Sequence, residues 1–142
     1  MTDYLETSGA EVAGCAVLTA VGEIDIHSAP LLDAALTRHT GSRAPLILDL
    51  SGVTFFDSSG VHLIDRARCG AATDRRRLAL VPSPRVQHIV ELVDVGRGLE
   101  IHPTLATALI ALQSATESAR SWHAISEHIA RPSCRPASPR DS

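Results

Sequence analysis

The chain contains no lysine; all 13 of its basic residues are arginine. With alanine abundant, this reads as coding bias in a GC-rich genome, and no mechanism is drawn from it. Positive charge is not in excess either. Against 16 acids the formal net charge is −3 at pH 7, so no general affinity for nucleic acid is expected. Cysteine is scarce. Cys15, Cys69 and Cys134 are odd in number and far apart, no pair has metal-ligand spacing, and three thiols cannot all pair within one chain. A reduced, cytosolic protein is the simplest expectation. Long apolar runs are missing. The longest, VAGCAVLTAV at 12–21, falls short of the roughly 20 residues a bilayer span needs. The opening MTDYLETSGAE is acidic and does not read as a signal peptide. No internal repeat is present. A soluble, cytoplasmic protein with no membrane contact is the expectation.

What is present is a patterned chain of 142 residues, 44% apolar, enough for one domain with a core and a tail. CAVLTAVGEIDI is apolar on both faces of a strand and ends in an acidic turn. HSAPLLDAALTRH follows, with Ser28 as N-cap, Pro30 in the first turn, and Leu31, Leu32, Ala35 and Leu36 at helical spacing. LILDLSGV from Leu46 reads as a central strand, and GVHLIDRARCGAA from Gly60 as a helix. LALVPS is another buried strand. In PRVQHIVELV the apolar face is Val86, Ile89, Val90 and Val93. DVGRGLEIHP holds a turn and a short strand, and TLATALIALQSA is a helix capped by Thr104. Strands alternating with helices predict an α/β fold with parallel pairs. Trp122, Ile125 and Ile129 form a short apolar stripe in a helical extension over 114–130. The last twelve residues, RPSCRPASPRDS, are expected to be disordered.

The segment VTFFDSSGVHLID, at 53–65, carries the chemistry. A strand hands over to a helix through an acid, two serines and a glycine. Ser58 or Ser59 is expected to cap the helix, because its first amides lack partners within the helix. Gly60 allows a tight turn and leaves room for an approaching partner. One serine is enough for a cap, and the second invites another role. A helix N-terminus tolerates an anion, and a phosphate on serine adds roughly −1.5 to −2 charge at neutral pH. The corner can therefore be a simple cap or a switch felt by whatever docks over it.

In order along the chain, GEID at 22–25, HSAP at 27–30, LILDLSGVTFFDSSGV at 46–61 and LALVPSPRVQHIVELVDV at 78–95 resemble the STAS domain of anti-sigma factor antagonists. The resemblance covers about residues 10–113. It implies a mixed β-sheet of four to five strands covered by about four α-helices; the domain is expected over 1–113, and the composition places the extension over 114–130 and the tail over 131–142. It implies phosphorylation of Ser58, the first serine after the aspartate. The implied kinase is the anti-sigma factor itself, of the histidine-kinase-like ATPase type. Unphosphorylated antagonist binds that partner and frees a sigma factor; phosphorylated antagonist lets go until a serine phosphatase resets it. Asp25, His27, Asp57, Ser59, Gly60 and His62 then form the partner-binding set. No cofactor or metal is implied. His62 departs from the family pattern, which has a small residue there; it is either idle on the surface or within reach of the partner or the phosphate. DVGRG departs in its glycine pattern, and the tail after Ala115 has no family counterpart.

Other functions fit less well. Asp57, Ser58 and His62 are hydrolase residue types, but a serine and acid in sequence with a histidine on the same helix do not converge into a relay. Phe56 stands where a nucleophile elbow centred on Ser58 needs glycine. His123 and His128 are five apart, whereas ligand pairs on one helical face are three or four apart. The alternative within the family is a stand-alone interaction or scaffold module with a different partner or ligand and no phosphoswitch.

Overall fold

The computed structural model describes residues 5–39, 42–93 and 99–113. Along the chain these form β1 (Leu5–Val12), β2 (Cys15–Ile24), α1 (Ala29–Thr37), β3 (Leu46–Phe56), α2 (Ser58–Asp74), β4 (Leu78–Pro82), α3 (Pro84–Val93) and β5 (Glu100–Ile101). A further helix, α4, covers 105–113. The five strands lie in the order β1-β2-β3-β4-β5, with β1 antiparallel to β2 and every later pair parallel. The expected mixed sheet with four helices is what the chain forms. The extension at 114–130 and the tail at 131–142 lie outside the described residues. Among those described, no helix is long and apolar enough to cross a membrane.

β1 was not expected from the sequence. LETSGAEV is short of apolar residues because β1 is an edge strand exposed along most of its length. It reaches β2 through Ala13 (φ 53°) and Gly14 (φ 83°), a two-residue turn with both residues left-handed, as a tight hairpin demands. Glycine supplies that conformation freely; alanine gives no such signal in a sequence.

Parallel strands that advance one place at a time in one direction, each through a right-handed crossover, put their connecting helices on a single face. α1, α2 and α3 accordingly share one core. Leu32 and Ala35, Leu63, Ile64 and Ala71, and Val86 and Val90 pack on the row Leu18–Leu48–Leu80. The opposite row, Val17–Ile47–Ala79, lies with Cys15 and Val81 under Ala108 and Leu112 of α4. Leu31 and Val93, expected on buried faces, are instead 49% and 48% exposed. α1 and α3 each bury a narrower stripe than their apolar content suggests.

β3 is two residues longer than the stretch of β2 beside it. Its pairing slips between Thr19 and Val21 of β2, and again between Gly22 and Glu23. Each slip is a bulge that adds one residue to β3. The helix-side core residues of β3 are therefore Leu46, Leu48, Leu50, Val53 and Phe56, in strides of two, two, three and three. Without the bulges a strict alternation would send Val53 to the other face, whereas Phe56, ten residues on from Leu46, keeps the helix side because the second bulge cancels the phase change of the first.

Arg76, just past the left-handed cap of α2 at Arg75, is buried. Its Nε donates to the Ala44 carbonyl and its Nη1 to that of His39, both at 2.6 Å. It ties the connection between α1 and β3 to the end of α2. Burial lowers its pKa, against the opposing pull of Asp74. Of the cysteines, Cys15 is buried and free, with burial raising its thiol pKa.

Arg76→Ala removes two charge-assisted hydrogen bonds and leaves two carbonyls without their donor. It is expected to lower the unfolding free energy by about 2–3 kcal/mol, read as a fall in the urea midpoint at unchanged slope.

Candidate functional site

Ile24 and Phe56 are partners in the last register position of β2 and β3. Both strands run in the same direction and end together, so the residues that follow, Asp25 and Asp57, leave the sheet side by side. Neighbouring strands are about 4.8 Å apart. Two acidic corners thus meet at one edge of the sheet.

The first corner is closed by Asp25 and Ser28. Asp25 Oδ1 accepts from the amides of His27 and Ser28, each at 2.9 Å. Ser28 Oγ accepts from the Asp25 amide at 3.0 Å and donates to the Glu23 carbonyl at 2.6 Å. Ser28 occupies the N-cap position of α1, as expected, but its hydroxyl makes no capping bond to the helix. It is turned back to hold the corner instead. The Ser28 amide is the main reason that the Asp25 carboxyl titrates below its ordinary range; the His27 amide adds to this, and partial desolvation opposes it.

The second corner corrects the expected capping. Neither serine is the cap. Asp57 is, with extended backbone, and its carboxylate accepts from the Ser59 amide at 2.9 Å. Its carbonyl accepts from the amides of Gly60 (2.9 Å) and Val61 (3.2 Å). α2 therefore begins at Ser58, two residues earlier than the apolar pattern indicates. The shift frees both hydroxyls from capping. Ser58 is the first residue of α2 and is exposed, and its hydroxyl has no hydrogen-bond partner among the described residues.

Gly60 also has a different reason from the expected one. It is buried, and a Cβ added there would lie within 2.7 Å of three carbons of the Phe56 ring. Its missing side chain makes room for Phe56, which is itself only 4% exposed. Gly60 offers no surface to an incoming molecule. The rest of the set surrounds the serine. His27 and His62 are exposed, while Asp25, Asp57 and Ser59 are half-buried. Asp57 turns its carboxylate to its own helix, and no hydrogen bond joins it to His62 among the described residues. The arrangement gives no relay for hydrolysis. No group of three or more candidate metal ligands occurs among the described residues either.

Sequence reasoning missed two members of this edge. Ile26 is 71% exposed in the Asp25 corner, and Phe55 is 43% exposed just before Phe56. Large apolar side chains left in water beside a polar corner mark a surface that another molecule can cover. A signal was available for Ile26, an isoleucine set between an acid and a histidine in a turn. For Phe55, alternation sets it opposite Leu46, Leu48 and Leu50, but nothing in the sequence shows that this end of the opposite face is left uncovered.

Gly60→Ala is expected to destabilise the fold by about 1–3 kcal/mol through overpacking against Phe56, seen as a lower thermal midpoint. Asp25 gives a pH signature. Its carboxyl is shifted down in the folded state, so the stabilisation of the corner is present above the ordinary carboxylate range. That stabilisation is lost as pH falls through the lowered value. Hydrogen exchange at the His27 and Ser28 amides, corrected for intrinsic rates, is expected to accelerate on acidification below about pH 4. In Asp25→Asn that acceleration is expected to be absent.

Comparison with known proteins agrees with this geometry. The family model described as STAS domain matches residues 6–108. Among curated proteins none matches the chain. Among solved structures the chain is similar to an anti-sigma factor antagonist from Mycobacterium paratuberculosis. Identity is 26% and the TM-score 0.73, over 80% of this chain and 97% of that one. It is similar also to the anti-sigma factor antagonist SpoIIAA in its unphosphorylated form, at 20% identity and TM-score 0.63, over 77% and 97% of the two chains. The Bacillus cell fate determinant SpoIIAA in the phosphorylated form matches at 21% identity and TM-score 0.60, over 75% and 99%. The matched residues run from β1 through the first turn of α4 and take in both acidic corners, and on that ground the chain belongs to the STAS domain family.

Proposed function

We propose that this protein is an anti-sigma factor antagonist whose partner binding is switched by phosphorylation of Ser58. In the unphosphorylated state the corner docks on an anti-sigma factor of the kinase type and releases the sigma factor held there. The anti-sigma factor then transfers a phosphoryl group. Ser58 Oγ attacks the γ-phosphorus of ATP, the bond to the bridging oxygen breaks, ADP leaves and the hydroxyl proton is lost. A serine phosphatase reverses the change.

The observation that carries this reading is the state of Ser58: an exposed hydroxyl, free of hydrogen bonds among the described residues, on the first residue of a helix. The helix can accept an anion there without unfolding, because its amides and dipole favour negative charge. Ile26 and Phe55 provide the apolar flank of a docking surface. A dianion at the centre of such a surface has to be desolvated next to Asp57 and Asp25 when the partner closes. A penalty of about 3 kcal/mol weakens binding roughly 100-fold. The likeness to SpoIIAA in both its unphosphorylated and phosphorylated forms supports a fold that persists through the modification.

The test is phosphate transfer. The protein is mixed with a candidate anti-sigma factor and Mg-ATP, and the mass shift is mapped; the expected site is Ser58. Ser58→Ala is expected to stay folded and bind constitutively, and Ser58→Glu to bind about 100-fold more weakly. Equal affinity of the two variants refutes the switch. Tight binding with no mass shift points instead to a scaffold module of the same family.

A further inference from the structure

We infer that His62 is the counter-cation of a phosphate on Ser58, so that the charge of the modified corner depends on pH near neutrality. This deepens the proposed function and rests on its assignment of the phosphate to Ser58. Ser58 and His62 are four residues apart on α2. Side chains at that spacing lie on one face of a helix, with Cβ atoms about 5–6 Å apart. Both are exposed, and neither side chain has a hydrogen-bond partner among the described residues. Each can therefore turn toward the other without breaking an existing contact.

The surrounding charges leave this role to His62. At the head of α2, Asp57 is an acid engaged with the Ser59 amide. On the next turn Asp65 pairs with Arg68 at 2.6 Å, and Arg66 with Asp33 of α1 at 3.4 Å. Those arginines lie two turns or more from Ser58 and already have acid partners. From the neighbouring corner come Asp25, whose carboxylate holds two amides, and His27, whose position follows that acid. His62 is the one basic residue in the first two turns of α2.

The coupling has a definite sign. A serine phosphate has its second pKa at about 6 and an unperturbed histidine titrates at about 6.5. A dianion next to the ring favours the imidazolium and raises the histidine pKa. The imidazolium in turn lowers the second pKa of the phosphate. The pairing is strongest where both are charged and is lost as pH rises through the raised histidine value. Above it the phosphate stands uncompensated, and its repulsion of a docking partner is greatest.

The experiment uses the full chain with phosphoserine installed at position 58 during translation and follows the phosphate by phosphorus NMR across pH 5 to 8. The phosphate pKa is expected to rise by a few tenths of a pH unit in His62→Gln relative to the parent, the size of a helical ion pair four residues apart. An unchanged phosphate pKa, or a change produced by His27→Gln and not by His62→Gln, overturns the inference. If the phosphoserine protein does not fold, the His62 ring is titrated in Ser58→Glu and Ser58→Ala. A higher value in the glutamate variant supports the pairing, and equal values overturn it. Because the phosphate is installed without a kinase, failure here leaves phosphate transfer by the anti-sigma factor standing. Absence of that transfer likewise leaves this result standing.

Discussion

The pairing of Ile24 with Phe56 is the constraint on which the site depends. It brings two strands to an end together and sets two aspartates at adjacent exits. Each acid then binds the backbone of its own corner: Asp25 the amides of His27 and Ser28, Asp57 the amide of Ser59. Carboxylates engaged in this way are structural anions. They hold the corner in shape and give it a standing negative potential before any modification. Under the proposed function, a phosphate on Ser58 would have a favourable helix entrance beneath it and two acids beside it. On that reading the host would tolerate the charge through the first feature, and a docked partner would be penalised through the second.

The same edge carries grease as well as charge. Ile26 and Phe55 remain in water in the isolated chain, while their neighbours Ile24 and Phe56 are buried. A corner that is polar at its centre and apolar at its flanks suits reversible association. In the proposed complex the flanks would supply affinity without direction, and the centre discrimination. The family that shares this fold includes structures described as anti-sigma factor antagonists.

Much of the fold could be read from the sequence because strand and helix periods alternate cleanly from Cys15 to the 105–113 helix. The rows Leu18–Leu48–Leu80 and Val17–Ile47–Ala79 come from apolar runs that no other arrangement buries on both sides. β1 was illegible for the opposite reason. An edge strand needs few apolar side chains, and its turn uses an alanine where glycine or asparagine would have announced it. At the site, residue types were legible and roles were not. Asp57 and the two serines are all good caps, and only the geometry of the strand exit decides that the acid takes the position. Gly60 looked like an opening for a partner. The ring of Phe56, four residues earlier and folded back over it, could not be inferred from spacing.

The two bulges of β3 have a consequence for how this corner can change. Each converts a stride of two into a stride of three: the first brings Val53 to the helix side, and the second restores the phase in which Phe56 lies with Leu46, Leu48 and Leu50. Replacing a side chain in this stretch perturbs one contact. Losing or gaining a single residue between Leu50 and Phe56 would exchange inside for outside downstream, turning Phe55 into the core and rotating the start of α2 with it. The phase of the strand, more than the identity of any one residue along it, fixes the direction in which the serine faces.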